Sequence, residues 1–308
     1  MTAERDTAVL SAFTQPDGQS VVDGLVDLLD LEPIEENIFR GVSPKVSFQR
    51  VFGGQVAGQA LVAAGRTVEP DRAVHSLHSY FIRPGDPAVP IIYTVERVRD
   101  GHSFSVRRVV AIQHGAPIFT LSASFQLPQG GIDHAAPMPA VPSPDSLPTF
   151  RDRFIGFDDL WSVVGRIPQP FDVRYVDDPP WVQRGQGPRE NSPHRIWLRT
   201  DGRLPDDPLV HVCATTFASD MNLLDSVLIH HGLAAALDPI SMASLDHAMW
   251  FHRPFRADEW LLYVSESPSA AGGRGLATGR FFSQDGRHVA SVAQEGMIRL
   301  PNVTEQFS

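Results

Sequence analysis

The chain has 308 residues, of which 42% are hydrophobic and 20% charged, a composition typical of a globular protein with about two domains. Its formal net charge of −10 argues against a nucleic-acid-binding protein, which needs a basic surface to displace counterions. No apolar run approaches the roughly 18 residues that a membrane span requires, so no membrane contact is expected. The single cysteine excludes an intrachain disulfide and favours a reducing, cytoplasmic location.

The first half of the chain predicts two helices followed by antiparallel strands. Residues 1–20 lack a basic start followed by an apolar core and are expected to form a flexible extension rather than a secretory signal. Residues 21–36 place apolar side chains at helical spacing, and the small, apolar run at residues 52–68 predicts a buried helix. Strands are predicted in HSLHSYFIR, PIIYTVERVRD, SFSVRRVVAIQ and PIFTLSASFQL, which are rich in β-branched and aromatic residues.

A segment dense in proline and glycine, residues 128–193, predicts a long irregular linker between two domains at residues 21–127 and 194–302. The second domain repeats the first. HRIWLRTDG and HVCATTFASD predict strands and MNLLDSVLIHHGLA a helix, and LDHAMWFHRPF then aligns with HSLHSYFIRPG. The predicted architecture is α+β, with two copies of a helix and an antiparallel sheet.

Asp220 interrupts an apolar run in ATTFASDMNLL, and two interpretations of it are open. Ser219 or Asp220 could cap the following helix by accepting hydrogen bonds from its first amides. Alternatively, aligning FGGQVAG with FASDMNL puts the neutral amide of Gln55 opposite the carboxylate of Asp220. A duplicated fold would show that asymmetry if only one of its two equivalent sites performed chemistry.

Several motifs in order resemble the type II acyl-CoA thioesterases, which hydrolyse acyl-CoA to free acid and CoA. They are RVFGGQVAGQAL, VHSLHSYFIRPGDP, RDGHSFSVRRV, FASDMNLL, DHAMWFHRPF and VASVAQEGMIR, within residues 21–300. The resemblance implies a double hotdog fold, in which each sheet wraps a central helix. It also implies acyl-CoA as the substrate, no metal or organic cofactor, and assembly into a homo-oligomer, a dimer or a tetramer.

The resemblance also implies an active site of aspartate, hydroxyl residue and glutamine at Asp220, Ser244 and Gln294. A carboxylate can take a proton from the water that attacks a thioester, while a hydroxyl and an amide hold that water. Relatives often carry threonine where this chain has Ser244, and serine lacks the methyl group that restricts the rotamer.

Substrate-binding roles are expected for five further residues: Gly53, Gly54, Gln55, His78 and Arg107. Backbone amides at a helix start suit the developing oxyanion, and either the helix at Gly53-Gly54 or the one at Asp220 could supply them. Near a helix N-terminus, Asp220 would keep a low pKa. His78 could line the pocket or act as an alternative base, and Arg107 could reach a CoA phosphate.

Other candidates favour structural roles. The alternation of apolar residues in HVCATTF predicts that Cys213 is a small core residue. His75 and His78 are expected to point to opposite faces of a strand, so they are poorly placed to bind one metal ion together. Asp246-His247 is similar to part of a catalytic triad, but the sequence has no G-x-S-x-G motif. Beside a fatty acyl-CoA hydrolase, two readings stay open: a hydratase of the same fold and a non-catalytic acyl-CoA-binding or sensing protein.

Overall fold

The computed structural model describes residues 18–44, 50–187 and 193–300, so most of the expected N-terminal extension, residues 1–17, lies outside it. The helices are α1 (Gln19–Leu29), α2 (Gly53–Gly65), α3 (Asp158–Val164), α4 (Pro180–Gln183), α5 (Pro208–Asn222) and α6 (Asp225–His230). The first-half strands are β1 (Glu32–Glu35), β2 (Ile38–Gly41), β3 (Ala73–Phe81), β4 (Ile91–Asp100), β5 (Phe104–Gln113) and β6 (Ala116–Gln126). The others are β7 (Phe171–Tyr175), β8 (His194–Thr200), β9 (Ser241–Ser244), β10 (Asp246–Phe251), β11 (Leu261–Ala271), β12 (Arg274–Ser283) and β13 (His288–Arg299).

The strands form one sheet in which the second half mirrors the first. Its order is β1-β2-β4-β5-β6-β3-β10-β13-β12-β11-β8-β7, with β9 paired to β13. At the junction β3 and β10 run antiparallel with His78 opposite Ala248, which are also counterparts in the sequence repeat. A pseudo-twofold axis therefore passes between these two residues, and the predicted internal duplication is confirmed.

Two buried helices, α2 and α5, lie antiparallel against each other between the two ends of the sheet. The first turn of α2 meets the last turn of α5, since a Cβ added to Gly53 would lie 2.6 Å from Asp220 Oδ2. At the opposite end, Gly65 lies against Leu209. The start of α5 is specified locally by Pro208 in its first turn and by Asp207, whose side chain accepts a hydrogen bond from the Leu209 amide at 2.9 Å.

The strand predicted in HVCATTFASD is wrong, because these residues lie in α5. The hydroxyl groups of its threonines find hydrogen-bond acceptors inside the helix. Thr215 and Thr216 donate to the carbonyls of His211 and Val212, four residues earlier, at 3.0 and 2.9 Å. Asp220 consequently lies in the last turn of a helix, where it cannot be an N-cap. The alignment with Gln55 fails too, since Gln55 lies in the first turn of α2.

Two further expectations are corrected. The helix predicted for residues 21–36 ends at Leu29, because Pro33 and the positive φ of Asn37 direct the chain into the β1–β2 hairpin. The segment 128–193 is more regular than expected. It contains α3, α4 and β7, and β7 pairs with β8 at the edge of the second-half sheet.

One stretch of the described chain, Pro208–His230, is apolar and long enough to cross a membrane by length and composition. Its most apolar window is 72% buried inside the protein, as is typical of a core helix.

Candidate functional site

A cavity of about 660 Å³, here called the main cavity, lies where α2 begins and α5 ends. It is lined by apolar side chains of α5, β3 and the segments beside them, together with two arginines and three polar residues, one each from α5, α6 and β9. The lining includes Arg50, Phe52, Gly53, Phe81, Arg83, Asp220, Met221, Asp225, Met242 and Ser244. Asp220 and Ser244 therefore face space that a ligand could fill.

The three residues expected to perform catalysis lie together in the structure. Ser244 Oγ donates to Asp220 Oδ1 at 3.1 Å, and Gln294 Nε2 donates to the same oxygen at 2.8 Å. Gln294 Nε2 also lies 2.7 Å from Ser244 Oγ. The carboxylate thus accepts hydrogen bonds from two neutral donors, an arrangement that can hold a water molecule beside a base.

Each of the three side chains is positioned by a different element of the second half. Asp220 is in the last turn of α5, Ser244 ends β9, and Gln294 is on β13. Pairing between β9 and β13 sets Ser244 opposite Gly296, two residues beyond Gln294. The first half contributes the start of α2, whose Gly54 amide donates a hydrogen bond to the Asp220 carboxylate.

Burial raises the pKa of Asp220, although hydrogen bonds from Gln294, Ser244 and the Gly54 amide oppose the shift. The sequence led to the opposite expectation, a low pKa at a helix N-terminus. Asp220 lies in the last turn of α5, whose C-terminal carbonyls do not stabilise an anion. A carboxylate whose pKa is raised is a stronger base once ionised.

His247 is a site residue that the sequence did not indicate as functional. It is 1% exposed, its Nδ1 lies 2.5 Å from Gln294 Oε1, and its Nε2 lies 2.9 Å from Ser219 Oγ. Burial lowers its pKa, which favours the neutral imidazole at neutral pH. The Asp246-His247 pair was the available signal, but a sequence does not reveal that a histidine is buried against a glutamine.

Gly53 and Gly54 let α2 approach α5 closely. A Cβ added to Gly54 would lie 2.3 Å from the Phe217 carbonyl oxygen. Gln55 is buried away from the carboxylate, where its Nε2 donates to Ser43 Oγ at 2.9 Å and to the Val42 carbonyl at 3.1 Å. Gln55 lines a second cavity of about 230 Å³, here called the apolar cavity.

His78, Arg107 and Cys213 do not line either cavity. His78 is exposed on β3, edge-on to Trp250 with the ring centroids 5.3 Å apart. Arg107 is 1% exposed, and its guanidinium donates to both oxygens of Thr67 at 2.9 Å and to Asp100 at 2.7 Å, so it braces the first-half sheet. Cys213 is buried in α5, and burial raises the pKa of its thiol.

Among the described residues, the cationic side chains that face the main cavity are Arg50 and Arg83, neither of which was expected from the sequence to bind substrate. Arg50 Nη2 donates to the Met242 carbonyl at 2.6 Å, and Arg83 Nη1 donates to the Pro117 carbonyl at 2.6 Å. Within the described ranges, no three histidine, cysteine or acidic side chains come together in a way that could hold a metal ion.

The chain is similar to known protein families and to individual proteins over most of its length. Residues 42–126 match the family described as acyl-CoA thioesterase N-terminal domain, and residues 167–297 match the family described as acyl-CoA thioesterase. The chain is 43% identical over 291 residues to acyl-coenzyme A thioesterase 8 of Homo sapiens, covering 90% of each chain. It is 39% identical over 287 residues to acyl-CoA thioesterase 2 of Haemophilus influenzae, covering 91% of this chain and 98% of that protein.

Solved structures show the same similarity. The crystal structure of acyl-CoA thioesterase II TesB2 from Mycobacterium marinum has a TM-score of 0.75 and 47% sequence identity, and the match covers 90% of this chain and 99% of that one. A hot dog fold protein from Alicyclobacillus acidocaldarius has a TM-score of 0.70 at 21% identity, with 90% and 98% covered. The predicted double hotdog fold is confirmed.

Proposed function

Since the chain belongs to the type II acyl-CoA thioesterase family and is therefore a thioester hydrolase, we propose that it hydrolyses fatty acyl-CoA with a water molecule activated by Asp220. The observation that carries this proposal is the contact of Ser244 and Gln294 with one carboxylate oxygen at the wall of the main cavity. That arrangement leaves the carboxylate ready to accept a proton from water held in the cavity.

In the proposed mechanism, the water attacks the thioester carbonyl while Asp220 takes one of its protons. The bond between carbon and sulfur then breaks, and the departing thiolate recovers a proton from Asp220 or from solvent. First-turn amides of α2 supply positive potential for the oxyanion, because the N-terminal end of α2 and not that of α5 faces the main cavity. Arg50 and Arg83 provide positive charge for the phosphates of CoA.

We place the acyl chain in the apolar cavity. It shares Arg50, Val51, Phe52 and Met221 with the main cavity, so a chain passing these residues can leave the thioester beside Asp220. Its remaining walls come from the first half, from α5 and from residues 167–170 of the linker. Burial of methylene groups there contributes about 0.8 kcal/mol each to binding.

The first test is the steady-state release of free CoA from a series of acyl-CoA substrates from acetyl-CoA to palmitoyl-CoA. The proposal expects hydrolysis of fatty acyl-CoA and weak activity on acetyl-CoA, whose acyl group is too short to reach the apolar cavity. Hydrolysis restricted to acetyl-CoA would contradict the fatty acyl assignment. Tight binding of acyl-CoA without any release of CoA would favour the binding or sensing alternative.

The pH dependence of catalysis is a second prediction. The value of kcat/KM should fall as the pH falls through the pKa of Asp220, because only the ionised carboxylate can accept a proton. As burial raises that pKa, the fall should lie above the ordinary aspartate range near pH 4. Replacing Ser244 with alanine removes a donor to the ionised form, so the fall should move to still higher pH. An unchanged profile in Ser244→Ala would contradict the assignment to Asp220.

A substitution in the apolar cavity should change chain-length preference. Ile167→Trp adds an indole ring to the wall, so kcat/KM for palmitoyl-CoA should fall roughly tenfold or more while hexanoyl-CoA is hydrolysed nearly as before. Ile155→Trp is the matched control, since Ile155 is 79% exposed in the same segment. Equal losses for both substrates would contradict the placement of the acyl chain.

We also propose that the protein acts in the cytoplasm as a homo-oligomer. The first point is supported by the single cysteine, which is buried and reduced, and the second by the family resemblance. Light scattering of the purified protein tests the assembly, and localisation of a tagged chain in its own cell tests the compartment.

A further inference from the structure

His247 completes the hydrogen bonding of Gln294 on the side away from Asp220. The Gln294 amide nitrogen faces Asp220 and Ser244, whereas its oxygen Oε1 lies 2.5 Å from His247 Nδ1. Gln294 is 0% exposed and His247 is 1% exposed, so bulk water cannot replace either contact. Among the described residues, Oε1 has no other hydrogen-bond donor. The orientation of the amide therefore depends on His247.

Bonding rules fix the proton positions along this chain of contacts. An amide nitrogen only donates and an amide oxygen only accepts, so turning the Gln294 amide over would point Oε1 at the Asp220 carboxylate. In the orientation that Asp220 requires, Oε1 must accept a hydrogen bond from Nδ1–H of His247. A neutral imidazole has one N–H, so Nε2 is then an acceptor. The Ser219 hydroxyl has two nitrogen or oxygen acceptors within reach, Nε2 at 2.9 Å and the Thr216 carbonyl at 2.8 Å, and in this tautomer it turns its one proton toward Nε2.

The duplicated fold provides an internal reference for this pair. In the first half, β3 and β6 place Leu77 opposite Ala123 in the apolar core, where they are 0% and 1% exposed. The corresponding positions of β10 and β13 hold His247 and Gln294, one step before the pair Ala248 and Ala293. Since buried polar groups cost free energy that an apolar pair avoids, the second half carries at this position, beside Asp220, a cost that its first-half counterpart avoids.

We propose that His247 is a positioning residue, which holds the Gln294 amide with its nitrogen toward Asp220 and Ser244 through a donated Nδ1–H. This inference rests on the proposed function, because it assigns His247 a role only if the ionised Asp220 is the base. His247 touches neither the water nor the thioester in this assignment and acts through Gln294 alone.

The test compares His247→Leu with His247→Asn. Leucine is the first-half residue at the equivalent position and has no donor. Asparagine carries its amide nitrogen on Cγ, as histidine carries Nδ1, and can restore the donor. His247→Leu should lower kcat about tenfold to a hundredfold at unchanged KM, a part of the general-base contribution. It should also move the acid limb of kcat/KM to higher pH, because Asp220 loses a correctly oriented donor. His247→Asn should recover most of kcat and the wild-type profile.

A control variant at an exposed histidine and an NMR measurement of the histidine rings complete the test. His252→Leu replaces an exposed histidine just beyond β10 and should leave kinetics unchanged. In the wild-type protein, ¹⁵N NMR of labelled histidine, with the His247 signals identified by their absence from His247→Asn, should show this ring neutral and protonated at Nδ1, which decides the question even if His247→Leu fails to fold. Protonation at Nε2 alone, or wild-type kinetics in His247→Leu, would overturn the inference. The proposed function fails separately, if Asp220→Asn is as active as the wild type.

Discussion

Replacing Asp220 with asparagine is expected to lower kcat by at least about a hundredfold while KM changes little. Asparagine has nearly the shape of aspartate, and its Oδ1 can still accept the hydrogen bonds of Ser244 and Gln294. What it cannot do is take a proton from water. The loss should therefore appear in the chemical step, which single-turnover release of CoA from decanoyl-CoA measures directly.

Two comparisons separate this result from a structural effect. The free energy of unfolding of Asp220→Asn should not fall at neutral pH, because the substitution removes a charge whose burial is unfavourable. Asp225→Asn is the matched control, because Asp225 also lines the main cavity and burial raises its pKa to about 6. Asp225 receives its hydrogen bond from Asn222 and does not contact Ser244 or Gln294. Wild-type activity in Asp220→Asn, or an equal loss in Asp225→Asn, would contradict the assigned base.

The strands and the duplication could be predicted from the sequence because both depend on local pattern. Runs rich in β-branched and aromatic residues identified β3 to β6, and the alignment of LDHAMWFHRPF with HSLHSYFIRPG identified the repeat. Helix α5 could not be recognised in the same way. Its β-branched residues favour a strand locally, and burial on most sides removes the helical periodicity of polar positions. Only packing against α2 decides between the two.

The sequence predicted which residues form the site, but not the pKa shift of Asp220 or the role of Arg107. Motif resemblance was sufficient to group Asp220, Ser244 and Gln294, whose contacts span up to 74 residues of sequence. The direction of the Asp220 pKa shift was predicted wrongly, because the sequence did not reveal that this carboxylate is buried at the end of α5, and burial raises its pKa. Arg107 was assigned to substrate because its positive charge is visible in sequence, whereas its hydrogen bonds to Thr67 are not.

Replacing Gly54 with alanine is expected to damage both stability and catalysis, since it forces α2 away from α5. The new Cβ would lie 2.3 Å from the Phe217 carbonyl oxygen, which is backbone and cannot rotate away. The free energy of unfolding should fall by roughly 3 kcal/mol, the upper end of the range for overpacked cores. Movement of α2 also withdraws the Gly54 amide from the Asp220 carboxylate, and a displacement of about 1 Å at a catalytic group can cost about a hundredfold in rate.

Gly58→Ala is the matched control for this effect, because Gly58 faces the same helix one turn further along α2. Its added Cβ would approach Leu29 Cδ2 at 3.1 Å and the Cys213 carbonyl at 3.2 Å, distances that small adjustments relieve. Alanine is also favoured over glycine inside a helix by about 1 kcal/mol, so the net change should be small. Urea unfolding followed by tryptophan fluorescence, together with kcat, compares the two variants. If Gly54→Ala matched Gly58→Ala in both measurements, the close approach of α2 to α5 would not be what places the Gly54 amide at Asp220.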